Sequence, residues 1–460
     1  MNVILSSFAN NFNSKIASFF SKENILLQFT AAYTGFIKRD RKITASDTIS
    51  LLTISSFTSK PQSLLEMTKT LQSINPKAKI SPQSLQERIN SDECVKFLKA
   101  VLEDVFHRKI LSVTQPQYEL FKTFKRVLVE DSSKWELSEH LEIPFKGFGG
   151  NGSKSYLKVN VIHDLLSGRF VDFSEHEGCK SDQTLGRNSL ELYQAKDLIM
   201  RDLGYLQVAC LKKIQEKGAY YLSRISGNMT IRLEKNGEPI SLAKLFDKYS
   251  IKGKLDICVY VGKEKLYTRL ISFKASQEVT DKRRRNLNKT STQKGHKTTA
   301  ENISRLGFTF YITNVNVEIW PCEIVATIYR FRWQIELFFK SFKSQLKMDH
   351  TSGRTENRIR NLLYAKWMSI IICTNFYELG MYCLKEYFNK EASFYKIVNW
   401  FLLGETFKVV ILKGVTREFM NLFILDLNSG WCKDKRNKRK SSREMIENKT
   451  PSYLEGVLLE

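Results

Sequence analysis

The sequence predicts an α/β protein: a mixed sheet interrupted by a β-rich insertion, with an N-terminal helical domain and a helical C-terminal region. Three observations predict this class. Residues 1 to about 120 carry apolar side chains at helical spacing and few strand signals. From about residue 121 the texture changes to alternating, β-branched runs. After residue 350 the chain is again helical and apolar. At 460 residues it is too long for one ordinary core, and 42% hydrophobic residues with 12% aromatics exclude a disordered chain.

Within residues 1–120, "KPQSLLEMTKTLQSINPKAKISPQSLQERINSDECVKFLKAVLEDVF" (60–106) reads as three consecutive helices. Pro76 and Ser81-Pro82 punctuate them, the latter as cap and first helical residue. As a helix-turn-helix, this segment would offer Gln83, Gln86 and Arg88 to DNA bases. As a plain bundle it would offer none.

The first part of the core spans 121–226. "RVLVED" (126–131) reads as a strand ending in acids, and "SYLKVNVIHDLLSGRFVDFSEHEG" (155–178) as a hairpin turning at Ser167-Gly168. "SLELYQAK" (189–196) reads as helical, and "DLIMRD" (197–202) as a short strand ending in Asp202. Gly204 turns the chain into the helix "YLQVACLKKIQEKG", which Gly218 caps, and "AYYLSRI" (219–225) is another strand. The order β, β, β, α, β, α, β is that of a mixed sheet and of a ribonuclease-H-like core.

Residues 227–320 interrupt this plan with polar, strand-rich sequence, in which "KLDICVYVGKEKLYTRLISFKAS" (254–276) is a hairpin. "DKRRRNLNKTSTQKGHK" (281–297) has seven Lys and Arg in seventeen residues and no apolar period, so it reads as a solvated loop. Its Arg283, Arg284 and Arg285 are candidates for phosphate-backbone contact. "FTFYITNV" (308–315) returns as a strand, and Pro321 opens a helix that completes the core over 321–350. The helical region 351–460 contains "RTENRIR" (354–360) and "KDKRNKRK" (433–440), the second either a DNA-contacting tail or a solubilising one.

Charge narrows the function. There are 72 Lys and Arg against 48 Asp and Glu, a net charge of +24. A clustered excess of this size suits a polyanion such as nucleic acid better than a small acidic metabolite. Eight cysteines are scattered without a CxxC or His–Cys grouping, which argues against a zinc site and for reduced thiols in a cytosol. The N-terminus lacks the pattern of an export signal. "WMSIIICTNFYELGMYCL" (367–384) contains Glu378 and follows Lys366, so it reads as a buried helix, not a membrane span.

"YRFRWQIELFFKSFKSQLKMDH" (329–350) places Tyr329, Arg332, Glu336 and Lys343 within an arc of about 60° on a helix. Ile335, Phe339, Phe342 and Leu346 form a neighbouring apolar stripe that would seat this helix on a core. Asp131 and Asp202 are expected at the ends of neighbouring strands, and Glu336 on the helix packed across them. Three carboxylates converging there would suit hard cations. Two Mg²⁺ ions about 3.5–4 Å apart can drive an in-line displacement at a phosphodiester. Of Glu130 and Asp131 only one can face such a site, because adjacent strand residues point to opposite faces. Val127 and Val129 share the parity of Asp131, which favours Asp131.

The segment "YRFRWQIELFFKSFK" matches Y-x2-R-x3-E-x6-K and so resembles the DDE transposases of bacterial insertion sequences, in the insertion sequence 4 family. "RDLGY" (201–205) is similar to that family's second-acid segment, and "VLVEDSSKWEL" (127–137) to its first, with Ser132-Ser133 where Gly-Thr or Ser-Thr is commoner. "YYLSRI" and "YITNV" resemble strands flanking the family's β-rich insertion. The resemblance covers roughly residues 120–370. It implies a ribonuclease-H-like catalytic domain in which Asp131, Asp202 and Glu336 hold two Mg²⁺ (or Mn²⁺) ions. Tyr329, Arg332 and Lys343 would contact phosphates, and Trp333 would pack or stack on an unpaired base. The implied activity is cut-and-paste transposition: binding terminal inverted repeats, cleaving donor double-stranded DNA and joining 3′ ends to a target. A homodimer on DNA, in the bacterial cytoplasm at the nucleoid and away from membranes, is implied too. A metal-dependent nuclease without strand transfer and a catalytically inactive DNA-binding protein are the alternatives.

Overall fold

A computed structural model describes all residues except 40–42, 59–61, 107, 109, 111–118, 151, 226–228, 295–302, 347, 349–353, 404 and 435–460. Most of the C-terminal basic run therefore lies outside the described residues.

Among the described residues, six α-helices precede the sheet: α1 (Asn2–Lys15), α2 (Ile25–Tyr33), α3 (Ala45–Ser56), α4 (Leu64–Ile74), α5 (Pro82–Ile89) and α6 (Asp92–Phe106). Their starts follow from local chemistry. Thr44 and Ser63 each form a reciprocal capping box, with Asp47 and Glu66, and Ser81 caps α5 with Pro82 in its first turn.

The strands are β1 (Arg126–Glu136), β2 (Tyr156–Asp164), β3 (Arg169–Glu177), β4 (Asp197–Arg201), β5 (Tyr220–Arg224), β6 (Ile231–Arg232), β7 (Lys254–Val261), β8 (Leu266–Lys274) and β9 (Phe308–Thr313). They form one sheet in the order β3-β2-β1-β4-β5-β9-β8-β7-β6. β1, β4 and β5 are parallel; every other pairing is antiparallel. Helix α7 (Asp182–Asn188) lies between β3 and β4, and α8 (Val208–Glu216) between β4 and β5. The order β, β, β, α, β, α, β is therefore present, but its first helix is α7 at Asp182–Asn188 and not the expected 189–196. The 155–178 hairpin turns at Gly168, whose φ of +77° lies in the left-handed region that glycine tolerates.

Three local expectations are corrected. Residues 189–196 form a short 3-10 turn at Ser189–Leu192, not a helix. The basic segment expected as a loop is, up to Lys294, part of helix α10 (Gln277–Lys294), which follows α9 (Leu242–Tyr249); residues 295–297 lie outside the described residues. β1 does not end at Asp131 but runs on to Glu136, because β2 keeps pairing with it up to Glu136↔Tyr156. Its other neighbour does stop: the β1–β4 ladder ends at Glu130↔Arg201. Asp131 thus stands at the mouth of the parallel strands although it lies mid-strand. The 227–320 segment adds β6 to β9 to the edge of this same sheet.

Alternation divides the sheet between two cores. Val127 and Val129 join Leu157, Val159, Leu198 and Met200 on one face, packed with the N- and C-terminal helices. Leu128, Ile162, Ile199 and Tyr221 join α8 and α9 on the other. After β9 come α11 (Cys322–Tyr329), α12 (Trp333–Ser344), α13 (Glu356–Phe388), α14 (Phe394–Leu402), α15 (Thr406–Lys413) and α16 (Arg417–Leu427). The apolar 367–384 stretch is buried inside α13, and among the described residues no helix is long and apolar enough to cross a membrane.

Candidate active site

The motif segment is not one helix. α11 ends at Tyr329, a 3-10 turn covers Arg330–Arg332, and α12 begins at Trp333. The apolar stripe behaves as expected: Ile335, Phe339, Phe342 and Leu346 are all buried in the first core. Phe338 is buried beside them and packs its ring 4.5 Å from that of His163 on β2. This seats α12 on the face of the sheet to which Val127 and Val129 point. Asp131 has their parity and is directed at the helix.

Three acids distant in sequence meet there, around the Arg332 guanidinium. Its nitrogens lie 3.9 Å from an Asp131 oxygen, 3.9 Å from one of Asp202 and 2.7 Å from one of Glu336. Asp202 leaves the end of β4 in extended backbone before a short 3-10 turn. Glu336 stands in the first turn of α12, where the helix dipole favours a carboxylate. Burial, reinforced by the charges of Asp202 and Glu336, pushes the Asp131 carboxyl up to about 7 despite Arg332 and the Ser132 N–H. For Arg332, burial works against the charge, but Tyr329, Asp202 and Glu336 outweigh it and hold its pKa above the usual value.

The donor set is carboxylate oxygen throughout, which is what hard divalent cations take. With Arg332 between them, the acids do not close into a metal-holding cluster among the described residues. The cation at their centre is the guanidinium itself.

The remaining predicted residues divide by exposure. Trp333 is 41% exposed on the outer face of α12. Lys343 is half-buried, with its ammonium 6.0 Å from the centre of the Trp135 ring. Tyr329 is buried, and its hydroxyl donates to the Arg201 carbonyl at 3.0 Å, so it ties α11 to β4 instead of facing outward. Arg283 is likewise buried: it donates to the carbonyls of Leu306 and Phe308 and to the Thr309 hydroxyl, pinning α10 beside β9. Arg284 and Arg285 are exposed. On α5, Gln83 and Gln86 are exposed, while Arg88 stacks on Phe36 and donates to the Ile43 carbonyl.

Sequence reasoning missed the support behind the acids. Glu130 is fully buried on the opposite face and is ion-paired to Arg201 at 2.6 Å. Asp182, in the first turn of α7, accepts from Ser132 at 2.7 Å and pairs with Lys158 at 2.6 Å. A Cβ on Gly204 would lie 3.0 Å from an Asp182 oxygen, which explains the glycine of "RDLGY". One signal was available: Glu130 and Arg201 are opposite charges, each directly preceding a candidate acid.

Comparisons with known proteins place the chain in a family. The family described as "Transposase DDE domain" matches residues 122–372, over half the chain. The chain is 27% identical over 463 residues to the transposase for insertion sequence element IS231D of Bacillus thuringiensis subsp. finitimus, covering 95% of this chain and 93% of that protein. It is 28% identical over 457 residues to the IS231F transposase of B. thuringiensis subsp. israelensis, covering 94% and 93%. With the IS1151 transposase of Clostridium perfringens the identity is 26% over 397 residues, covering 79% and 81%. The cryo-EM structure of the piggyBac transposase synaptic complex with hairpin DNA aligns with 96% of this chain and 88% of that one, at 11% identity and a TM-score of 0.44. The family match and the full-length insertion-sequence relatives place this chain in the DDE transposase family, as an enzyme acting on the phosphodiester bonds of DNA.

Proposed function

We propose that this enzyme binds the terminal inverted repeats of a mobile DNA element, cleaves the donor DNA beside them and joins the freed 3′ ends to target DNA. The observation that carries the reading is the convergence of Asp131, Asp202 and Glu336 on a single guanidinium. Those three carboxylates would hold divalent cations, Mg²⁺ or Mn²⁺ and two in number. Such ions activate a water or 3′-hydroxyl nucleophile and neutralise the leaving oxygen.

The chain's own residues supply the rest. Arg332 offsets the mutual repulsion of the acids and offers a planar fork to phosphate oxygens. Lys343 adds a point charge, and Trp333 presents an exposed ring for stacking on an unpaired base. Arg284 and Arg285 take backbone phosphates from α10, whereas Arg283 and Tyr329 hold their elements in place. The N-terminal helices, with Gln83 and Gln86 outward on α5, read the repeat. Since two ends must be joined, a homodimer would bring one set of acids to each. Its place of action is the bacterial nucleoid.

The test is an Mg²⁺ reaction of the full chain on DNA carrying the element's ends. D202N and E336Q are each expected to slow cleavage roughly a thousandfold or more while end binding stays within a few-fold. Products in which cleaved ends are joined to a second DNA are expected from the parent. Cleavage that never yields joined products would make the enzyme a nuclease instead, and undiminished cleavage by both variants would remove the acids from the chemistry.

A further inference from the structure

Directly behind the acids lies a fully buried polar cluster with no part in the chemistry described so far. The Glu130 carboxylate accepts from Asn160 Nδ2 at 3.0 Å, Ser189 Oγ at 2.5 Å and Tyr193 Oη at 2.7 Å. Its fourth neighbour is Arg201 Nε, at 2.6 Å. Arg201 Nη2 donates to Tyr193 Oη at 2.5 Å and to the Gly186 carbonyl at 3.0 Å. Tyr205 Oη donates to Asn160 Oδ1 at 2.7 Å. Gly186 leaves the room for this arrangement, since a Cβ there would stand 3.0 Å from an Arg201 nitrogen.

A buried ion pair is weak evidence for stability, because desolvating both charges offsets most of their attraction. Its attested use is to specify one arrangement over its competitors. Here the pair sits at an informative place. Glu130 and Arg201 are register partners, the last pair of the parallel β1–β4 ladder, and each immediately precedes an acid. Alternation means that holding both side chains on one face turns Asp131 to the other and fixes where Asp202 leaves its strand. A slip of one residue would reverse the face and scatter the acids. Arg201 also holds the third acid indirectly, since its carbonyl accepts the Tyr329 hydroxyl at the end of α11, seven residues before Glu336.

We infer that the Glu130–Arg201 pair is the positioning device of the active site, setting the strand register and, through Tyr329, the seat of the motif helix so that the three acids meet. The inference rests on the reading of Asp131, Asp202 and Glu336 as the acids that act on DNA.

R201K tests it in the full chain, because lysine keeps the buried charge but loses the fork that joins Glu130, Tyr193 and Gly186. Folded R201K is expected to cleave end DNA with kcat lowered roughly tenfold or more, and calorimetric Mn²⁺ binding weakened by a similar factor. Its KM for DNA should stay within about twofold, as a positioning effect requires. A folded R201K with the parent's kcat and Mn²⁺ affinity overturns the inference. Should R201K not fold, Y193F decides alone: it removes a single oxygen from the cluster, and a several-fold lower kcat at unchanged KM is expected, whereas parental kcat overturns. D202N separates the two levels. If D202N cleaves like the parent, the reading of the acids has failed; if D202N is inactive while R201K is unimpaired, only the positioning role has.

Discussion

Arg283 and Arg284 are adjacent in the chain, yet the first is buried and the second exposed. The basic run has no apolar period in sequence, and the structure explains why: the inward side chains of α10 include Thr280 and Arg283 beside Val279 and Leu287, so polar groups seat the helix along with apolar ones. A helix seated by a guanidinium and a hydroxyl is invisible to hydrophobic periodicity. R283A is therefore expected to lower stability by about 1–3 kcal/mol in denaturant melts, since it orphans buried carbonyls. The double variant R284A/R285A should change stability by under about 0.5 kcal/mol. It should instead flatten the slope of log affinity against log salt by up to about 0.9 per residue. His163 makes a second residue-level case. Burial, partly offset by a backbone group at Gly168, pushes its pKa down to about 4. The ordinary value in an unfolded chain is about 6.5, so the unfolded state takes up a proton that the folded state refuses. Stability from this residue is present above about pH 6.5 and is lost as pH falls toward 4. Melts at pH 7 and pH 4.5 should differ less in H163F than in the parent.

At the scale of elements, the motif was legible as a spacing but not as a shape. Treating 329–350 as a single helix placed Tyr329 and Arg332 on the same outward arc as Glu336. The 3-10 turn at Arg330–Arg332 instead lets the tyrosine go under the strand end while the arginine turns to the acids. Nothing in residue composition announces such a break, which is set by what the two flanking helices pack on. The apolar stripe is legible because burial at i, i+4 and i+7 (Ile335, Phe339 and Phe342) falls within α12, and Leu346, two residues past its end, is buried as well. F342A, removing a ring with no solvent exposure, should cost about 3–5 kcal/mol in equilibrium unfolding. L337A, whose side chain is 44% exposed, should cost under about 0.5 kcal/mol. The end of β1 was misplaced for a comparable reason: "VLVEDSSKWE" loses its β-branched character after Val129, and only the partner strand β2 carries the pairing on to Glu136.

For the molecule as a whole, the alternation of helical and strand-like texture was enough to give the α/β class and the order of its core elements. It could not show how distant segments share a core, because burial between segments leaves no local period. α13 is the decisive instance. This 33-residue helix is buried along most of its length. Thr53 and Ser56 of α3 meet its Met368 and Ser369, its Asn361 donates to the Ile89 carbonyl of α5, and its Trp367 ring lies against Phe173 of β3. It is the beam on which the front and rear of the chain both hang. Genetic dissection at residue 350 would retain every acid yet strip that beam away, leaving α3 and much of one sheet face bare to water. Such a shortened product should bind ANS, melt without a cooperative transition and cut no DNA, so that loss of the C-terminal helices alone would silence the enzyme.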